Sequence, residues 1–187
     1  YRITLRDPSL LYPILRAESR ESFLQLLELY PQSEVSGEKA ENFRIIDEHI
    51  GEGSKREKFT GNVAAITTLQ TIEKEQRPAT KEEQEILSHY VGWGGLSEVF
   101  DKDNSSFGNE YAQLKSLLSE DEYSMARAST LNAHYTSPIV IKAIYDVVDS
   151  MGFTTGNILE PACGIGHFFG MLPNSMQNSN LYGIVLD

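Results

Sequence analysis

The chain has 187 residues, 40% of them hydrophobic, which is enough for a packed core without metal or disulfide staples. One cysteine, Cys163, excludes an intrachain disulfide and points to a reducing compartment, so the expected location is cytoplasmic. With 16 basic against 27 acidic residues the net charge is −11, a balance that repels nucleic acid unless a local basic patch or another part of a larger protein makes the contact. The start at Tyr1 rather than Met suggests a piece of something longer. No segment reads as a signal peptide or a membrane span; the most apolar stretch, IVIKAIYDVV, is interrupted by Lys142 and Asp146.

In chain order, residues 8–30 predict helix, broken at Pro13, with an apolar stripe along RESFLQLLELY. PQSEVSGEKAEN (31–42) is a polar linker, FRIID is short and extended, and GEGSKRE is a glycine-rich turn. Phe59, Val63, Ile66, Leu69 and Ile72 recur at helical spacing and predict an amphipathic helix from about Lys55 to Gln76, ended by Pro78. Thr80 with Glu83, and Ser119 with Glu122, are capping boxes that open two further helices. Between them lie GWGGL, a glycine-rich corner, and GNEYAQLKSLL, another helix.

After residue 130 the pattern changes. LNAHYTSP is a loop in which Ser137 caps a helix that starts at Pro138 and stops near Gly152. NILE predicts a short buried strand, followed by a glycine loop, a short helix to about Leu172, and a second strand in SNLYGIVLD. The expected class is α/β. A helical lead-in and linker (1–42) and a helical subdomain (43–130) precede the start of a doubly wound, Rossmann-like sheet (131–187) that is truncated after its second strand.

The glycine loop carries the chemistry. A strand, glycines and a helix in succession bring bare backbone amides to a ligand. The dinucleotide fingerprint fails, because Gly164 and Gly166 match but its third position is Phe169; the Walker pattern fails for want of Gly-Lys-Ser/Thr. Glu160 at the strand end, four residues before the first glycine, suits a ligand with a positive charge and an amino-acid portion. S-adenosylmethionine has both.

ILEPACGIGHFF resembles motif I of the adenine-N6 type of S-adenosylmethionine-dependent DNA methyltransferases, and NAHYTSPIVIKAIY is similar to the Tyr-Thr-x-Pro loop these enzymes place before it. GEGSKREKFTGNVAAI, EEQEILSHYVGWGGL and ARASTLNAHYTSP resemble the large methylase–helicase proteins of phages and conjugative elements. The match spans about residues 43–187. It implies a fold for binding S-adenosylmethionine, with Tyr135, Thr136, Glu160, Pro161, Ala162, Cys163, Gly164, Gly166 and Asp187 around the cofactor. Thr136 would meet the methionine carboxylate and Tyr135 the methionine arm. DNA would be contacted through parts of the parent protein outside this chain, and a helicase region of the same polypeptide is a further implied partner. In the family G-x-E-x-D closes the second strand and its glutamate takes the ribose hydroxyls; here Val185 stands at that position, with Asp187 two residues on.

The bland readings stand beside these. Cys163 is a small packing residue rather than a nucleophile, and His167 belongs to a first helical turn. Trp93 fills a buried corner rather than stacking a base. SKREK either meets phosphates or is a solvated helix start. His49, His89, His134, His167 and the cysteine have no zinc spacing, so no metal is expected. The chain also contains no Asn/Asp-Pro-Pro-Tyr/Phe motif, which in the family holds the target amino group and stacks the flipped base. Catalytic residues are therefore none, and the chain alone is expected to be inactive. The alternatives are a non-catalytic helical interaction module with a degenerate nucleotide fold, or a methyltransferase acting on RNA or on protein glutamine.

Overall fold

The computed structural model describes residues 3–6, 15–17 and 43–186. The chain is mixed α/β and mostly helical, and it clusters into two compact units: Tyr1–Ile46 with Ile139–Asp187, and Asp47–Pro138.

The first unit holds a four-stranded sheet of β1 (Ile3–Arg6), β2 (Leu15–Ala17), β3 (Asn157–Glu160) and β4 (Asn180–Leu186) in the order β2-β1-β4-β3. β3 and β4 are parallel, in a register that sets Asn157 opposite Asn180 and Glu160 opposite Gly183. β1 runs antiparallel to both β4 and β2. The helix expected over residues 8–30 is therefore overturned at Leu15–Ala17: there the backbone pairs with β1, and a sheet ladder takes the hydrogen bonds a helix would have made internally. The rest of that stretch, the linker 31–42 and Asp187 lie outside the described residues.

The helix α5 (Pro138–Ser150) packs on the parallel pair, its number following four helices in the second unit. Ile141 and Tyr145 form a core with Leu172 and Met176, joined by Val148, Phe153, Ile158 and Leu181. The helix stops where the sequence says it should. Gly152 at φ +85° donates to Asp149 O at 2.8 Å and Phe153 N donates to Val148 O, so the last carbonyls are satisfied by the reversing chain. NILE, expected to be buried, alternates instead: Ile158 faces α5 while Leu159 is 57% exposed. β3 is the edge strand of this sheet, so it gains cover from α5 on one face and a neighbour on one side only.

The second unit is helical: α1 (Lys55–Glu75), α2 (Lys81–Ser88), α3 (Gly108–Leu117) and α4 (Glu120–Ser129), with short 3-10 turns at Ser97–Phe100 and Ser105–Phe107. Both expected capping boxes form, and a third opens α1, where Ser54 and Glu57 exchange bonds. α1 ends at Glu75, before Pro78, because Gln76 turns left-handed at φ 51° and reverses the chain. The core is aromatic: Phe59, Trp93, Phe100 and Tyr123 meet edge-on or tilted, and Leu96, Val99 and Leu114 fill the gaps. Trp93 is 2% exposed, so the buried-corner reading holds.

Two measurements follow. Trp93 is the only tryptophan; its emission should be blue-shifted and resist iodide, and Leu114→Ala should cost about 2–5 kcal/mol while leaving that emission buried. Water-like, freely quenched emission would contradict the packing. The Arg77 guanidinium bonds both Glu83 oxygens at 2.6 Å, and with the Thr80 amide it holds the Glu83 carboxyl down at about 2, from an ordinary 4.5. A depressed carboxylate contributes stability above its unfolded pKa and loses it as pH falls through the folded one. The melting-temperature gap between the unmodified chain and Glu83→Gln should therefore be full at pH 7 and close between about pH 4.5 and 2. An equal gap at both ends would refute the pairing.

Candidate functional site

The parallel register fixes the first feature of the site. β3 ends at Glu160 opposite Gly183, and the chain then turns back across β4, where Cys163 N–H donates to Ile184 O at 3.0 Å. This crossing is close. A methyl group on Gly183 would sit 2.8 Å from Cys163 Sγ and 3.2 Å from Phe169 Cε2, so the loop rests on a backbone without a side chain. Cys163 is half-buried there, which matches a packing role.

Above this floor the loop bends twice. Gly164 (φ 51°) and Gly166 (φ 92°) occupy the left-handed region, and Gly166 N–H closes a turn on Cys163 O at 2.7 Å. A methyl group on Gly166 would meet only Phe169 Cδ2, at 4.0 Å, so the backbone on that side is uncovered. Glu160 folds towards the loop, its Oε1 accepting from Ala162 N–H at 3.2 Å. Pro161 and Ala162 are exposed. The first unit thus gathers six of the predicted residues: Glu160, Pro161, Ala162, Cys163, Gly164 and Gly166.

The one-turn helix α6 (His167–Gly170) follows, with His167 and Phe169 buried. Sequence reasoning missed Tyr145, whose hydroxyl donates to Phe168 O at 2.8 Å and ties α5 to this turn. Burial, with the Glu160 carboxylate adding to it, pushes the Tyr145 phenol up to about 12, so it remains a donor at all physiological pH. It also missed Gly183. The signal available was a glycine inside a strand pattern, which marks close backbone approach.

Tyr135 and Thr136 belong to the second unit. The Tyr135 ring lies edge-on to Tyr90, with centroids 5.8 Å apart, and fits against Gly92, where a methyl group would meet Tyr135 Cε2 at 2.5 Å. Thr136 is exposed. The glycine corner is clamped by Asn62, fully buried, which donates to Gly92 O at 2.6 Å and accepts from Val91 N–H at 2.9 Å. Gly94 N–H reaches Ala133 O at 3.1 Å, so the corner and the Tyr135 loop are one hydrogen-bonded piece. In SKREK, Lys55 pairs with Glu98, and Arg56 bonds Glu110 at 2.9 Å with its guanidinium over the Phe107 ring. These two cations are engaged within the chain. A recess of about 500 Å³ in this unit, lined by Tyr111, Lys115, Tyr123 and Arg127 among others, contains none of the predicted residues.

No cluster of His, Cys, Asp and Glu suited to a metal occurs among the described residues, and no helix there is long and apolar enough to cross a membrane. No protein-family model, curated protein or solved structure matches the chain.

Because Cys163 is the only thiol, it reports on the loop directly. Gly183→Ala should lift the loop and raise the rate of Cys163 modification by an aromatic disulfide reagent several-fold. An unchanged rate in a folded variant would mean that the crossing is looser than its geometry.

Proposed function

We propose that this chain is the N-terminal part of a DNA adenine-N6 methyltransferase, in which the loop after β3 binds S-adenosylmethionine. One observation carries the reading. A carboxylate stands at the carboxyl end of a parallel strand, directly before a loop that two left-handed glycines bend over a side-chain-free floor. The uncovered backbone at Gly166 suits close approach of a ligand, and Glu160 supplies the negative charge its ammonium group needs. The start of a Rossmann-like sheet is part of the same proposal.

The cofactor supplies an electrophilic methyl group on a sulfonium. In this reading Glu160 holds the ammonium, while Gly164 and Gly166 admit the methionine portion. Pro161 and Ala162 shape the turn. Asp187, Tyr135 and Thr136 enter by the resemblance of their motifs alone. The sequence carries no Asn/Asp-Pro-Pro-Tyr/Phe motif, so base positioning and transfer to adenine, with DNA and any helicase region as partners, rest on the rest of a longer protein.

A second reading has its own observation. Ile139, Val140, Ile144, Val147 and Met151 are exposed along and just past α5, a face that suits a non-catalytic interaction module.

Titration with S-adenosylmethionine, by calorimetry or by NMR, separates the two. The unmodified chain should bind more weakly than micromolar, because Val185 cannot make the charge-assisted bond to the ribose diol, worth ~1.5–3 kcal/mol. Val185→Glu should tighten binding by about ten- to a hundredfold, and Glu160→Gln should weaken it. Micromolar affinity of the unmodified chain, or methylation of adenine by it, would contradict this account. Absence of binding in Val185→Glu at millimolar ligand would leave the interaction module.

A further inference from the structure

We infer that Arg44 and Ile45 are positioning residues for the glycine loop. They grip the one-turn helix behind it at its carboxyl end, and so set how Gly164 and Gly166 face the ligand. The inference rests on the cofactor reading for the identity of that ligand, S-adenosylmethionine; the mechanical part rests on geometry within the first unit.

A helix of four residues cannot hold its own direction. Nucleating a turn fixes several backbone angles for one hydrogen bond, and the last carbonyls of any helix have no partner inside it. The carbonyl of the last residue of α6, Gly170, and that of Leu172 just past it are taken by a strap more than a hundred residues away, Arg44 and Ile45. Ile45 N–H donates to Gly170 O at 2.9 Å. The Arg44 guanidinium donates to Leu172 O at 2.5 Å and to Asn174 Oδ1 at 3.0 Å. Gly170 N–H in turn donates to Gly166 O at 2.9 Å. Two hydrogen bonds in series, through one glycine, thus join the Ile45 amide to the carbonyl of a loop glycine.

The side chains agree with this. A methyl group on Gly170 would sit 2.6 Å from Ile45 Cδ1 and 2.7 Å from Ile45 Cγ1, so glycine is what lets the strap lie flat on the turn. Tyr145 holds the same turn from α5 through Phe168 O. With the sheet below and Tyr145 and the strap on the turn, the one-turn helix is defined from outside itself. In sequence the whole second unit, Asp47–Pro138, lies between the strap and α5.

The test uses Arg44→Ala, Gly170→Ala, and Gly170→Ala combined with Ile45→Ala, which removes the atoms an added methyl group would strike. Leu114→Ala, in the core of the second unit, controls for lost stability alone. Three quantities are read: thermal unfolding, the rate of Cys163 modification, and affinity for S-adenosylmethionine by NMR titration at a temperature where every variant is folded. Arg44→Ala and Gly170→Ala should each raise the modification rate and weaken binding by about five- to tenfold, the effect of one or two lost hydrogen bonds. The double variant should recover towards the unmodified chain, and Leu114→Ala should lower the melting temperature without moving the other two readouts. Faster modification with unchanged affinity would overturn the positioning role, as would no change in either readout. Absence of binding by both the unmodified chain and Val185→Glu would remove the cofactor reading instead, and the strap would then stand or fall on the Cys163 rate.

Discussion

The parallel pairing of β3 with β4 is the constraint from which the candidate site follows. Two strands that point the same way cannot be joined by a tight turn, so the chain must leave β3, travel, and return beside it. Here the excursion, residues 161–179, contains the glycine loop, the one-turn helix and the residues that fill the core beneath α5. The register decides the rest. With Glu160 opposite Gly183, the outgoing chain crosses β4 at the one position where that strand has no side chain, and Cys163 and Phe169 drop into the space. A shift of one residue would place Tyr182 or Ile184 there and leave no room for the crossing.

What holds the loop in place is mostly polar and mostly distant in sequence. The Tyr145 hydroxyl, the Ile45 amide and the Arg44 guanidinium each take a backbone carbonyl in or just after α6. Those carbonyls would otherwise face an apolar surround or water, and satisfying them in one geometry selects one orientation of the turn. Hydrophobic contact alone would tolerate several. The second unit works by a related rule: its aromatic core gives bulk stability, while Asn62 fixes the glycine corner by using both ends of its amide on Val91 and Gly92. Some surface charges there meet one another, as Lys115 does Glu120, and exposed pairs of this kind contribute little to stability.

Local chemistry determined a good deal by itself. The boxes at Thr80–Glu83 and Ser119–Glu122, proline opening α5, the glycine stop at Gly152, and the strand–glycine–helix–strand order are satisfied by residues a few positions apart, so they are legible in a line of letters. The same is true of Glu160, Gly164 and Gly166, whose spacing alone marks a glycine loop at a strand end. The tertiary structure decided the strand at Leu15–Ala17, the exposure of Leu159, the capture of Lys55 and Arg56 by Glu98 and Glu110, and the roles of Arg44, Ile45, Asn62, Tyr145 and Gly183. Apart from the exposure of Leu159, each depends on a partner 10 to 130 positions away, measured by the Leu5–Leu15 register at the short end and the Arg44–Asn174 bond at the long end. No local pattern encodes such a partner, because hydrogen-bond and steric complementarity between distant segments exists only once the chain has folded.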